Sequence, residues 1–429
     1  MNNPIVLRGI SVLGLGVMLG LAWLLSENRR WVAWRVVAWG VGLQFAFAVL
    51  VLRTQFGRVL FEWVKAGFDL ITDASNAGAA FVFGNLHRVI IFDEAAVMGE
   101  TGPESVSPLI ISAVMAFQVL PVIIFVSALS AMLQHVGVVQ LVVRAMAWVM
   151  RRTLKTSGAE TFGTALLAFL GIESCSAIAS YMKTMTRSEV FTLMTAFLAT
   201  IAVSVMVAYA GFGAEPGHLL AASIMSAPAA LVMAKLLVPE THTPQTLGAE
   251  RIEIPVESRN LFDAASRGGG IGLSMALNVG AMLIVFVGLI HLLDFGVVAG
   301  TGLVTEGGLT TTQLIGWVFR PFAFLMGVPA ADVPAVGELL ATKSVFNEFL
   351  AYEAMQEQIA AQALQARSIT IATYALCGFA NPGSLGILLG ALAALIPDRR
   401  DEVAALCVKA YVGGTLACFS TACVAGILG

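Results

Sequence analysis

The sequence predicts an all-α polytopic membrane protein. It has about eight transmembrane helices plus two opposed re-entrant hairpins, arranged as an inverted repeat with broken helices. Three observations predict this. First, the 429 residues are 58% hydrophobic and only 12% charged, with a mean hydropathy of +0.87, whereas a soluble domain is about a quarter charged. Second, eight apolar runs are long enough to cross a hydrocarbon core of about 30 Å. Third, two further apolar stretches begin and end on one side of that core.

The runs fall near 7–25, 32–52, 108–134, 189–211, 217–238, 271–294, 369–396 and 404–427. Before the first lies only Arg8, with no small-residue cleavage pattern after it, so it is expected to be a retained span. Arg29, Arg30 and Arg35 separate spans one and two, and Arg144, Arg151, Arg152 and Lys155 follow span three. Lys183 and Arg187 precede span four, Lys235, Arg251, Arg259 and Arg267 lie between five and six, and Arg399 and Arg400 between seven and eight. Loops 212–216 and 295–310 hold no Lys or Arg. This bias places the basic loops in the cytoplasm and both termini outside; the long 53–107 segment departs from it, where the rule is weak. Segment 55–72 has apolar residues at helical spacing and a charged face, so it is expected along the membrane surface.

Stretch 161–182 starts and ends at cytoplasmic basic clusters, and stretch 309–352 starts and ends outside. Each reads as a hairpin that enters and returns, with non-helical backbone at its tip, tolerable only in protein or a wet cavity. Each is followed by a span interrupted by small polar residues, then a plain span. The first interruption is FLATIAVSV at 197–205 and the second CGFANPGSLG at 377–386, where Pro382 removes a donor and Gly383 eases unwinding. Opposed repeats with broken helices place a ligand site at the midplane of a secondary transporter. The chain therefore divides into a scaffold and interfacial helix (1–156), a first repeat (157–238), a linker and span six (239–308), and a second repeat (309–429).

Two carboxylates stand at membrane depth, Glu173 and Glu348. Each costs roughly 2.5–3.5 kcal/mol there on insertion scales, so each is a candidate for solute binding or proton carriage. The bland alternative is that each caps a helix or pairs with a neighbour such as Lys343. Asn381 and Ser384 are three apart and share a face if the turn is helical. Thr200, Ser204 and Asn347 fit ligand contact or helix–helix glue equally, and Arg320 is expected to snorkel or pair with an acid. The cysteines (Cys175, Cys377, Cys407, Cys418, Cys423) lack a CxxC pair and the five histidines lack ligand spacing, which argues against a disulfide frame and a metal site. Neither a nucleophile with its base nor a metal cluster is present to support an enzyme. No basic cluster with interleaved aromatics supports nucleic-acid binding.

Several segments carry a family likeness. They are AFQVLPVIIFVSAL (116–129), RAMAWVM (144–150), SGAE (157–160), SAPAALVMAKLLVPET (226–241), ALNVGAML (276–283), GWVFRPFAFLMGVP (316–329), NEFLAY (347–352) and CGFANPGSLGIL (377–388). In order and over nearly the whole chain, they resemble the concentrative nucleoside transporters. The resemblance implies a homotrimer in the bacterial inner membrane, with lipid and a nucleoside as partners and no cofactor. Each protomer would import nucleosides by alternating access on a proton or sodium gradient. It implies that Glu348, Asn381 and Ser384 hold the ribose and that Glu173 and Val205 face the base. Where the family reads GQTEAP this chain reads GIESCS, and by the spacing to Met185-Thr186 one residue is missing; the base-reading Gln-Thr pair is absent, leaving Ile172, with Ser174, Cys175 and Ser176 available to substitute. Base preference is therefore open, and a nucleobase or modified nucleoside is the alternative substrate. Cation ligands implied by the family are the carbonyls of Leu170 and Ile201 and the hydroxyl of Thr200. The family's sodium-binding Asn is Leu167 here, a poorer shell for a hard cation, so proton coupling through a buried glutamate is expected.

Overall fold

The computed structural model describes residues 3–84, 115–171, 178–247, 258–302 and 308–429. Among these the chain is helical throughout, without strands. Helix α1 (Pro4–Leu24) and α2 (Trp34–Arg53) are the first two spans. They lead into α3 (Gln55–Phe83), the amphipathic helix expected at 55–72, which runs further than the charge pattern suggested. Span three is α4 (Met115–Val136). It is followed by α5 (Val138–Leu154), a basic amphipathic helix where the sequence reading saw only a charged loop.

The first repeat opens with α6 (Gly158–Leu170), the entering arm of hairpin one, and its short return α7 (Ala179–Met182). Span four is split into α8 (Arg187–Ala199) and α9 (Val203–Gly211), with extended backbone between them. Span five is the unbroken α10 (Pro216–Leu237). Span six is α11 (Leu261–Thr301), 41 residues, about 60 Å long at 1.5 Å per residue, well beyond the expected 271–294.

The stretch 309–352 differs from a simple two-armed hairpin. Helix α12 (Thr311–Leu325) folds back on α13 (Val333–Val345), and α14 (Glu348–Ala360) follows. Gly327, at φ +86°, makes the first turn, and Pro329 and Pro334 flank the start of α13. The arms that bracket Glu348 are thus α13 and α14, and α12 is an added helix. Span seven is split into α15 (Ala366–Leu376) and α16 (Pro382–Leu395), and span eight is α17 (Arg400–Leu428).

Seven helical segments among the described residues are long and apolar enough to cross a membrane. The eighth expected span is the pair α15 and α16, each too short alone. Burial separates an inner bundle from a periphery: 94% of the apolar window of span four is buried and 89% of that of α10, but none of that of α11. Helices α8, α10, α15 and α17 pack on one another in the centre, while α11 lies along α4 at the edge.

The ends of the bundle are tied by charge. Both chain termini lie at one end, where Arg8 donates to the carbonyl of Gly429. At the basic-loop end, Glu27 accepts from Arg187 at 3.0 Å and Lys409 at 2.9 Å. Burial alone would raise the Glu27 carboxyl; the bonds from Arg187 and Lys409 outweigh it and hold it below the usual carboxylate range. Lys235, read from the sequence as a loop cation, instead lies in the last turn of α10, buried 2.6 Å from Glu160 in the first turn of α6. Each charge sits at the helix end whose dipole favours it.

Candidate functional site: the cavity where two broken helices meet

The two interruptions touch. A Cβ on Gly378 would lie 2.9 Å from the carbonyl oxygen of Ala199, the last residue of α8. Only glycine allows that approach. Phe197 and Phe379 pack ring against ring across the same seam, 5.7 Å between centroids. Cys418 of α17 places its thiol 3.6 Å from both Ala199 O and Cys377 O, a weak donor to two carbonyls freed where their helices stop.

Beside this seam lies a cavity of about 600 Å³, within the range of small-molecule pockets, roughly 300–1,000 Å³. Glu348, Asn381, Ser384, Asn347 and Val205 all line it. Glu348 begins α14, whose N-cap is Asn347 with Oδ1 accepting from Leu350 N at 2.9 Å. Asn381 is the N-cap of α16, its Oδ1 accepting from Ser384 N at 2.8 Å. That bond orients the amide, so its Nδ2 donates to Glu348 Oε2 at 2.6 Å. Two helix N-termini therefore converge on one carboxylate, and their orphan N–H groups and dipoles favour negative charge there.

The other carboxylate oxygen is held by a residue the sequence reading missed. Tyr209 of α9 donates its hydroxyl to Glu348 Oε1 at 2.7 Å. Its ring stacks on Tyr352, centroids 4.5 Å apart, and stands edge-on to Phe349. The available signal was spacing: Tyr209 lies one turn beyond Val205 on the same helix. The cavity's far wall was missed too. It is α11, with Ser274 and Asn278 facing the space at i, i+4 spacing within the apolar stretch 268–290 of that helix.

Other expected residues scatter. Ile172, Glu173 and Ser174 lie outside the described residues. Thr200 sits in the first interruption, its hydroxyl 2.8 Å from Ala196 O and 3.4 Å from Leu167 O. It thus reaches α6 at the position of the expected cation ligands, where Ile201 is buried and Leu170 half-buried. Leu167 supplies only its carbonyl to that place; its side chain is apolar and buried. The Ser204 hydroxyl lies 3.9 Å from the sulfur of Met275. Arg320 lays its guanidinium over Trp317, 5.3 Å from the ring, away from the cavity. Lys343 does not pair with Glu348: its Nζ donates to Ala375 O at 2.7 Å.

A cavity with a carboxylate and an amide side by side, a serine one turn on and aromatic walls suits a solute with vicinal hydroxyls and a flat apolar part. Comparison with known proteins agrees with that chemistry. Residues 13–86 match the model described as "Na+ dependent nucleoside transporter N-terminus", and 218–426 the corresponding C-terminus model. Residues 116–216 match one described as "Nucleoside recognition". The chain is 39% identical to the Uncharacterized transporter YutK of Bacillus subtilis (strain 168), covering 97% of this chain and 98% of that one. It is 38% identical to Solute carrier family 28 member 3 of Mus musculus over 98% of its length, but spans only 58% of that protein. Among solved structures it is 35% identical to CNTnw in an inward-facing substrate-bound state, with a TM-score of 0.87 and 98% of each chain covered. Against an outward-facing, doubly substituted CNTnw the TM-score is 0.89. This polytopic membrane protein belongs to the concentrative, Na+-dependent nucleoside transporter family.

Proposed function

We propose that the chain imports nucleosides by proton-coupled symport with alternating access, as a homotrimer in a bacterial inner membrane with both termini periplasmic. Glu348, Asn381 and Ser384 hold the ribose. Carboxylate and amide oxygens accept from the sugar hydroxyls, and the amide and serine can donate back. Val205 lies against the base, and Ile172, Glu173 and Ser174 are assigned to the base from the sequence. The observation that carries this reading is the convergence of Glu348 and Asn381 at 2.6 Å in a cavity beside both helix breaks. The tip of hairpin two with the start of α14, the broken spans and α11 all border the cavity, so their relative movement opens or closes it.

Leu170, Thr200 and Ile201 mark where a coupling cation would bind. The family is described by its sodium dependence. Position 167, however, offers a hydrocarbon where an oxygen would complete a cation shell, and this favours the proton, with a buried glutamate as carrier. Uptake of labelled uridine and guanosine into proteoliposomes, under separately imposed sodium and pH gradients, tests both parts. Accumulation driven by the pH gradient alone is the expected result; competition by nucleobases better than by nucleosides would redirect the substrate assignment. Leu167→Asn supplies the missing oxygen, and its uptake is expected to gain a sodium dependence that wild type lacks.

A further inference from the structure

We infer that Lys343 is a tethered cation: it supplies to the second repeat the positive charge that a mobile coupling ion would supply to the first. The inference rests on the reading of this chain as a coupled nucleoside carrier.

The starting point is the end of α15, where span seven stops. The last four carbonyls of a helix lack intrahelical partners. Here each has one. Thr373 O accepts from the Tyr352 hydroxyl at 2.9 Å, Tyr374 O from Cys377 N at 3.3 Å, Ala375 O from Lys343 Nζ at 2.7 Å, and Leu376 O from Gly378 N at 2.8 Å. Two are ordinary turn bonds. The other two come from the arms of hairpin two, Lys343 on α13 and Tyr352 on α14.

Lys343 is fully buried. A neutral donor such as a threonine hydroxyl would satisfy Ala375 O without carrying charge inside. An ammonium is justified where it meets negative potential from more than one source. The C-terminal end of α15 presents the negative pole of its dipole, and Glu348 lies five residues along the same hairpin. Lys343 faces both.

The first repeat has the same architecture but a neutral answer. The end of α8 is met by the Thr200 hydroxyl at Ala196 O and the Cys418 thiol at Ala199 O. Helix α6, which enters beside it as α13 does beside α15, carries Leu167 and Ala168 in its last turn and no cation there. A carbonyl-rich helix end without a fixed charge is open to a mobile cation; one with a buried lysine is not. The charge on Lys343 therefore fastens hairpin two to span seven without a mobile ion.

The test uses the full chain in proteoliposomes. Lys343→Ala and the near-isosteric Lys343→Met are each expected to lower nucleoside uptake about tenfold or more, the loss typical of a hydrogen bond to a charged group. Methylammonium in the buffer is expected to restore uptake by Lys343→Ala, methanol to leave it low, and Lys343→Met to respond to neither. Wild-type uptake by Lys343→Met, or equal restoration by methanol and methylammonium, overturns the inference. Should Lys343→Ala fail to fold, its recovery as monodisperse protein, purified with methylammonium or with methanol, gives the same reading: a selective gain supports the inference and an equal yield overturns it. Absence of uptake by the wild-type chain would instead count against the transport reading, and the folding arm would still decide the role of Lys343.

Discussion

Glu348 is a buried carboxylate engaged on both oxygens, by Tyr209 on one and Asn381 on the other. Glu348→Gln keeps its size but replaces one acceptor oxygen with an NH2 that must face either Tyr209 or Asn381, itself a donor; nucleoside uptake is expected to vanish while membrane insertion and monodispersity persist. Tyr209→Phe removes one donor and little else. It is expected to raise KM by roughly tenfold, about the 1.5 kcal/mol of a hydrogen bond to a charged group, at similar protein yield. Unchanged KM would mean that Tyr209 only packs. Glu348 and Asn381 were legible from sequence because polar residues stand out against an apolar background. Tyr209 was not, since an aromatic residue in an apolar helix is ordinarily core and only the fold brings its hydroxyl to a carboxylate 139 residues away.

Helices stop inside this bundle for identifiable reasons. In span seven Pro382 opens α16 as its first residue, Asn381 caps it, and Gly378 permits contact with the end of α8. Gly378→Val would drive side-chain atoms into Ala199 O and the Cys418 sulfur, which already lie 2.9 and 2.4 Å from an added Cβ. A substitution that overpacks a core costs about 1–3 kcal/mol or more, so a lower Tm and lost uptake are expected. Wild-type thermal stability would mean that the breaks do not lock together. The break at 377–381 was evident in the sequence because proline and glycine are poor helix formers. The start of α14 at Glu348 was less so: FNEF contains no breaker, and the tip follows from Asn347 capping. The helix α12 escaped the reading because its fold-back depends on Gly327, one of many glycines in the chain.

At the scale of the whole molecule, charge fastens the basic-loop end. Glu27, in the link between α1 and α2, joins Arg187 of α8 to Lys409 of α17. Its carboxyl is held below the usual carboxylate range in the folded state, so it adds stability at neutral pH that is lost as acidification protonates it. Glu27→Gln is therefore expected to flatten the acid side of a Tm-against-pH curve while changing neutral stability by less than about 1 kcal/mol, as for other partly exposed pairs. An unchanged acid slope would assign acid sensitivity to other carboxylates. The buried Lys235–Glu160 pair nearby has a different character. Removing one partner strands a charge in the interior, so Lys235→Met is expected to be far more damaging than Glu27→Gln when the two yields are compared.

The sequence by itself determined that the protein lives in a membrane, how many times its apolar runs can cross, where two of those runs must break, and which acids and amides are too polar for lipid. These are properties of composition and short spacing, and hydrocarbon penalises exceptions to them residue by residue. Only the tertiary structure decided which of those polar groups face one another. Tyr209 on Glu348, Lys343 on Ala375, and the contact of Gly378 with Ala199 join residues 32 to 179 positions apart. Such pairings leave no local trace, because they follow from how the helices pack once every freed backbone group has found a partner.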